Sequence, residues 1–222
     1  MQTDVYEPPP RRPTLADVLT AGIPVERIIL IPTPGTATSA DVEQIFDHED
    51  RLCELVDGVL VERAYGLGAA ILNVDLACAL VGFVQVNRLG FVVGAKAAVQ
   101  LRPGLIRAPD IAYYSRTQFA DGRLPKEPIP SIAPKLVVET WKPGNTPAEM
   151  NRKLRDYFEA GTRLVWYVQP EQRTVDVYDG LDRGDRLDDS GVLDGKAVLP
   201  GFQLKVGDLF DRGQYGRWMR PD

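Results

Sequence analysis

Short β-prone runs broken by turn residues dominate the chain, and two longer stretches switch to a helical period. Cys53–Val56 and Val59–Glu62 are such runs, joined by Asp57-Gly58, a dipeptide that accepts the positive φ angles of a two-residue hairpin turn. A β-hairpin is therefore expected over 53–62. From Gly68 to about Val86, Ile71, Leu72, Leu76, Ala79, Leu80 and Phe83 recur at helical spacing, which predicts a helix packed on a sheet. Further strands are expected at residues 91–93, 98–101, 110–114, 136–139, 164–168 and 174–178, the last two linked by a turn at 170–173. Residues 27–31 form a β-like run stopped by Pro32 and Pro34, and 39–46 has a helical pattern with Thr38 or Ser39 as its cap.

The second helix is the best-specified element. Thr146 can cap it, Pro147 suits its first position, Glu149 completes the capping-box spacing and Gly161 ends it. Met150, Leu154, Tyr157 and Phe158 form its apolar stripe, with Lys153 at the border one turn before Tyr157. A lysine there can lay its methylenes on the core and swing its ammonium toward the sheet edge. The polar run 179–195 reads as loop or weak hairpin, and 199–210 returns to the fold. The first residues end in Glu7-Pro8-Pro9-Pro10 followed by Arg11-Arg12-Pro13, a composition that favours an extended arm, with a short amphipathic turn over 14–22. No internal repeat is present.

Three polar residues interrupt this apolar pattern at places where chemistry is expected: Asp110 opening one strand, Glu139 ending the next, and Lys153 on the helix that follows. Two carboxylates side by side on a sheet can hold a hard cation such as Mg2+, and a nearby ammonium can orient the water that the cation activates. That set of parts suits phosphodiester hydrolysis. A buried unpaired carboxylate at Glu139 would be costly, so the bland alternative is an ion pair with Lys153 or Lys142. Asp110 could instead accept backbone hydrogen bonds at a strand start, and Glu54 could be an outward-facing hairpin residue.

The remaining composition bounds this picture. The chain has 222 residues, 44% of them hydrophobic, enough for one large domain with a sizeable core. Net charge is −5 and the pI about 5.1, which argues against tight nonspecific binding to a polyanion while leaving local basic contacts available. Arg102, Arg107, Arg116 and Arg123 flank the Asp110 strand, and Lys142, Arg152, Lys153 and Arg155 follow Glu139; most are expected to be solvated. Cys53 and Cys78 lack metal-ligand spacing and are expected to be buried apolar residues, and His48, the one histidine, is expected in a polar turn. No run reaches the roughly 18 consecutive apolar residues of a bilayer span, and the start Met1-Gln2-Thr3-Asp4 lacks the regions of a signal peptide, so a soluble cytoplasmic protein is expected.

The ordered set of motifs resembles the PD-(D/E)XK restriction-endonuclease-like superfamily. More closely, Glu54-Leu55-Val56-Asp57-Gly58, Ala108-Pro109-Asp110-Ile111-Ala112, Leu136-Val137-Val138-Glu139, Pro143-Gly144-Asn145-Thr146, and Lys153 with Tyr157-Phe158-Glu159-Ala160-Gly161 are similar to the bacterial putative restriction endonuclease domain family, over about residues 38 to 210. The resemblance implies Asp110 and Glu139 as metal ligands, the backbone carbonyl of Thr140 as a third, and Glu54 as an additional acid at the rim. The superfamily lysine two residues after the second acid is replaced here by Trp141, and the family is similar in supplying a lysine from the following helix, which points to Lys153. Lys142 is the rival, disfavoured because strand alternation turns it away from the Glu139 face.

These readings lead to an α/β fold of restriction-endonuclease-like type, a mixed central sheet flanked by helices, with an N-terminal arm (1–37), a nuclease-like domain (38–210) and a C-terminal tail (211–222). The expected activity is Mg2+-dependent endonucleolytic hydrolysis of DNA, with Mn2+ able to stand in and a homodimer implied by the resemblance alone. The alternative is a catalytically degenerate nuclease fold that binds nucleic acid or a protein partner, motivated by Trp141 and the acidic pI.

Overall fold

Asp57 (φ 50°) and Gly58 (φ 80°) both take the left-handed angles that a two-residue hairpin turn requires, in a computed structural model that describes residues 22–49, 51–119, 123 and 125–212. The turn joins β2 (Cys53–Val56) to β3 (Val59–Glu62). A Cβ on Gly58 would lie 2.7 Å from the carbonyl carbon and oxygen of Gly35, so only glycine fits where that segment closes over the turn.

This hairpin is the centre of a five-stranded antiparallel sheet that also contains β1 (Ile28–Ile29), β5 (Val99–Arg102) and β6 (Leu105–Arg107), in the order β1-β3-β2-β6-β5. Strand β6 is absent from the sequence expectation, since three residues after Pro103-Gly104 are too few to display an alternation. Helix α1 (Ser39–His48) covers one face, burying Val42 and Ile45 against Cys53, Leu55, Leu60 and Ile106. Thr38 is its cap: the Asp41 carboxylate accepts from both the N–H and the hydroxyl of Thr38 at 2.7 Å. His48 is exposed at the end of α1.

The second sheet has six strands in the order β11-β10-β9-β8-β7-β4: β4 (Gly90–Gly94), β7 (Ile111–Ser115), β8 (Leu136–Thr140), β9 (Leu164–Gln169), β10 (Thr174–Gly180) and β11 (Arg183–Leu187). Its one parallel pair is β8 with β9, and the crossover between them is α3 (Pro147–Glu159). The run 179–195, which reads as loop or weak hairpin in the sequence, supplies β11, in a hairpin with β10, and β12 (Val192–Asp194), which pairs with β13 (Gln203–Lys205).

Helix α2 (Leu67–Val86) packs on one face of the six-stranded sheet through Leu72, Leu76, Leu80 and Val84, beside α4 (Val206–Arg212). This 20-residue helix, with an apolar window of mean hydropathy 2.1, is long and apolar enough to cross a membrane by length and composition alone, although Asn73 and Asp75 interrupt its apolar run. Its outer side leaves Leu67, Val74 and Val86 exposed, and Cys78 is exposed there too, whereas Cys53 is buried as expected.

Helix α3 covers the opposite face, packing Met150, Leu154 and Tyr157 against Val137, Val165 and Tyr167. Its Thr146 hydroxyl accepts from the Glu149 N–H at 3.2 Å, but the Glu149 carboxylate turns away to Arg27 and Asn145, so the reciprocal half of the expected capping box is missing. At the other end Gly161 (φ 99°) donates to the Phe158 carbonyl and Thr162 to that of Tyr157, a Schellman closure. The polyproline arm and amphipathic turn expected over 1–21 lie outside the described residues, as do 213–222; within 22–37, Ile23 is buried and β1 pairs with β3.

Candidate functional site

Strands β7 and β8 pair Ile111 with Val138, and one residue further the same register sets Asp110 opposite Glu139. Ile111, Tyr113, Leu136 and Val138 pack toward α2, so by alternation Asp110 and Glu139 project to the face that α3 covers. On the other sheet Leu55 and Ile106 face α1, which turns Glu54 and Arg107 toward α3 as well. The helix thus lies between two acidic sheet faces and presents Lys153, Asp156 and Tyr157, at helical spacing, to both. Only Ala108-Pro109 and Asp110 separate β6 of one sheet from β7 of the other.

The contacts form one network. The Lys153 ammonium donates to Glu54 Oε1 at 2.9 Å and to Glu139 Oε1 at 3.1 Å, joining a carboxylate from each sheet. The Tyr157 hydroxyl donates to the same Glu139 oxygen at 2.7 Å. Arg107 donates to Glu54 at 2.7 Å and through Nε to Asp156 at 2.9 Å, and the Ala108 N–H donates to Glu54 at 3.2 Å. Asp110 accepts from Arg63 at 2.5 Å, from the Lys142 ammonium at 2.6 Å and from the Thr140 N–H at 2.8 Å. Glu54, Arg107, Asp110, Glu139 and Lys153 are each no more than 4% exposed.

Burial and charge act against each other at Glu54, Asp110 and Lys153, where charge prevails, and act together at Tyr157. Desolvation would raise the pKa of Glu54, but Lys153 and then Arg107 hold it well below the usual carboxylate range. Asp110 is lowered in the same way, desolvation being outweighed by Arg63 and Lys142. Burial would lower the Lys153 pKa, yet the Glu139 and Glu54 carboxylates leave it raised, so the amine stays protonated. Burial, reinforced by Glu139, pushes Tyr157 well above its ordinary value and keeps it a hydrogen-bond donor.

Several sequence expectations are corrected. Glu54 is buried in the network, so the outward-facing alternative for it fails. Lys142 does reach Asp110: β8 ends at Thr140, so strand alternation no longer governs residue 142, whose N–H is instead held by Asn145 Oδ1 at 2.9 Å. Lys153 meets Glu139 and Glu54, and among the described residues the amine at Asp110 is that of Lys142. It is the N–H of Thr140 that touches Asp110, and its hydroxyl donates to Asn73 of α2 at 2.5 Å. Arg107, expected to be solvated, is buried. Arg63, Arg107, Asp156 and Tyr157 were not expected at the site; the signal available was Tyr157 one turn after Lys153, while the others join through partners 47 to 53 residues away.

A cleft of about 570 Å3 opens beside this network, lined by Trp141, Lys142, Gly144 and the start of α2 at Gly66, Leu67 and Gly68. The α2 N-terminus has no side-chain cap and no acidic residue in its first turn. Among the described residues the buried Trp141 indole N–H has no partner. Among the described residues no three carboxylate, histidine or cysteine side chains converge on one point. The donors nonetheless suit Mg2+, which needs only one or two carboxylates and otherwise takes water and phosphate oxygens, and Asp110 and Glu139 sit in register as that pair.

A family model described as Uma2, putative restriction endonuclease, matches residues 39–207. Among solved structures, the chain is similar to a putative nuclease belonging to DUF820 from Anabaena variabilis ATCC 29413, at 16% identity and a TM-score of 0.67, over 74% of this chain and 93% of that one. At that identity the likeness is one of fold. No curated protein matches.

Proposed function

We propose, from the premise that the chain belongs to the Uma2 putative restriction endonuclease family, that it is a metal-dependent endonuclease hydrolysing DNA phosphodiester bonds in the cytoplasm. The observation that carries this reading is the Lys153 ammonium held between Glu139 and Glu54, with Asp110 in register opposite Glu139. Asp110, Glu139 and the Thr140 carbonyl would hold Mg2+ or Mn2+, with Glu54 as the additional acid. When bound, the cation supplies charge neutralisation at the phosphate and a lowered pKa for a bound water.

The protein groups have separate tasks in this reading. The scissile phosphate enters along the cleft between Trp141, Lys142 and the uncapped start of α2, whose free N–H groups favour an anion. Lys142 exchanges Asp110 for a phosphate oxygen, leaving that carboxylate to Arg63 and the Thr140 N–H. Lys153, kept charged by its two carboxylates, orients the attacking water and offsets charge developing in the transition state. Tyr157 and Lys153 share one Glu139 oxygen, and among the described residues the other oxygen has no donor. One chain carries one such constellation and a duplex has two strands, which supports a homodimer as the cutting unit.

The test is Mn2+ and Mg2+ titration calorimetry of the wild-type chain, Asp110→Ala and Glu139→Ala, with and without duplex DNA, followed by cleavage assays on supercoiled, linear and single-stranded DNA. Binding by the wild type alone, with cleavage, is the expected result; no binding under any condition defeats it. A second reading, a degenerate fold that binds nucleic acid or protein, draws on Trp141 in the strand-lysine position and on Asp110 already neutralised by Arg63 and Lys142. DNA binding without metal binding or cleavage would favour it.

A further inference from the structure

The edge of the six-stranded sheet opposite Glu139 holds a second cleft, of about 590 Å3, where β8 and β9 start and α3 ends. Lys135 in its wall lies four residues from Glu139, about 13 Å along the strand direction, so the cleft is not part of the network above. Four cationic residues line it, Lys135, Arg163, Arg183 and Lys196, against one carboxylate, Asp179. Lys196 is paired, 2.7 Å from Asp179 and 3.7 Å from Asp185. Among the described residues the side chains of Lys135 and Arg163 have no hydrogen-bond or ion-pair partner. In a chain of net charge −5, two cationic side chains without partners beside Arg183 and Lys196 make this concavity locally attractive to an anion.

A second observation points the same way. Thr162 lines the cleft at 3% exposure, and its hydroxyl has no partner. The Schellman closure of α3 consumes its backbone N–H and fixes its place, leaving the side-chain donor unspent. A buried hydroxyl without a partner is uncommon, and this one lies just behind the cleft wall, where a side-chain rotation would bring it to a ligand acceptor. The rest of the wall combines the hydroxyl residues Ser115 and Thr117 with an apolar side, where the half-buried Phe158 ring lies beside Leu164. The volume is within the range of small-molecule sites.

We infer that this cleft binds a small phosphate ester of the nucleotide class, its phosphate among Lys135, Arg163 and Arg183 with Thr162 donating to it, and its base against Phe158. The inference does not depend on the nuclease reading. Calorimetry on the full chain tests it, with AMP, inorganic phosphate and adenosine as the three probes. AMP is expected to bind more tightly than either of the others, and a Lys135→Ala/Arg163→Ala chain to lose at least tenfold in AMP affinity. Both substitutions fall outside the buried core, so the variant folds. Thr162→Val is expected to weaken AMP severalfold while Thr162→Ser retains it, a contrast that packing alone would not produce. Lys153→Met, at the opposite sheet edge, leaves AMP affinity unchanged. Absence of AMP binding at millimolar concentration, or unchanged affinity in the double variant, overturns the site; phosphate binding as tightly as AMP overturns the nucleotide class.

Discussion

Lys153 occupies the position at which one residue decides most. Lys153→Met keeps the methylene packing and removes the charge, and under the proposed function cleavage falls by about 10²–10³-fold in single-turnover assays, as for loss of a transition-state donor. Lys142→Met, at the cleft edge, lowers cleavage less and raises KM for DNA. The carboxylates also set how stability varies with pH. Asp110 and Glu54 have folded pKa values below their ordinary ones, so their contribution is complete above the usual carboxylate value, about 4, and is lost as pH falls through the lowered values. Lys153 is raised, so its contribution is present below its usual value, about 10.4, and is lost only at higher pH. Urea midpoints should therefore hold from pH 7 to about 5 and drop in acid, with a shallower drop in Glu54→Gln. The positions of Asp110 and Glu139 were conspicuous in one dimension because each is a charged group at the end of an apolar run, and Lys153 because it borders the apolar stripe of a well-marked helix. Arg107 and Arg63 were not, because each is defined by a carboxylate more than 45 residues away in sequence, and a surface arginine and a buried one look alike until the sheets meet.

Elements were legible where a local rule forced them. Asp57-Gly58 demanded a hairpin, and Thr146-Pro147 with Gly161 bounded α3. Strand β6 escaped because pairing, and not pattern, makes it a strand, and the end of β8 escaped because nothing in Glu139-Thr140-Trp141-Lys142 marks where alternation stops. Gly58→Ala tests the first rule: a positive φ and a Cβ 2.7 Å from the Gly35 backbone should destabilise the chain by about 1–3 kcal/mol in denaturant titration. The unoccupied half of the α3 capping box makes a complementary case. Glu149 serves Arg27, so it ties β1's flank to α3 where a box would have served the helix alone.

At the scale of the whole molecule, two sheets of different topology share one helix and one buried ionic cluster. Glu54 belongs to the five-stranded sheet, Glu139 to the six-stranded one, and Lys153 binds both. Heating should give a single unfolding transition by near- and far-ultraviolet circular dichroism. Glu54→Ala, which strands Arg107 and Lys153, should lower stability by about 3–5 kcal/mol and separate the transition of the five-stranded sheet from that of the six-stranded one.

The placement of Lys153 between the sheets bears on how such a chain would drift over generations. The groups proposed for the chemistry are also the fasteners between the two halves of the fold, so a lineage that ceased to cut DNA would still be held to Glu54, Glu139 and Lys153 by the need to stay assembled. Loss of activity would register first at the cleft-lining residues Trp141 and Lys142, which stand outside the Glu54–Lys153–Glu139 fastening.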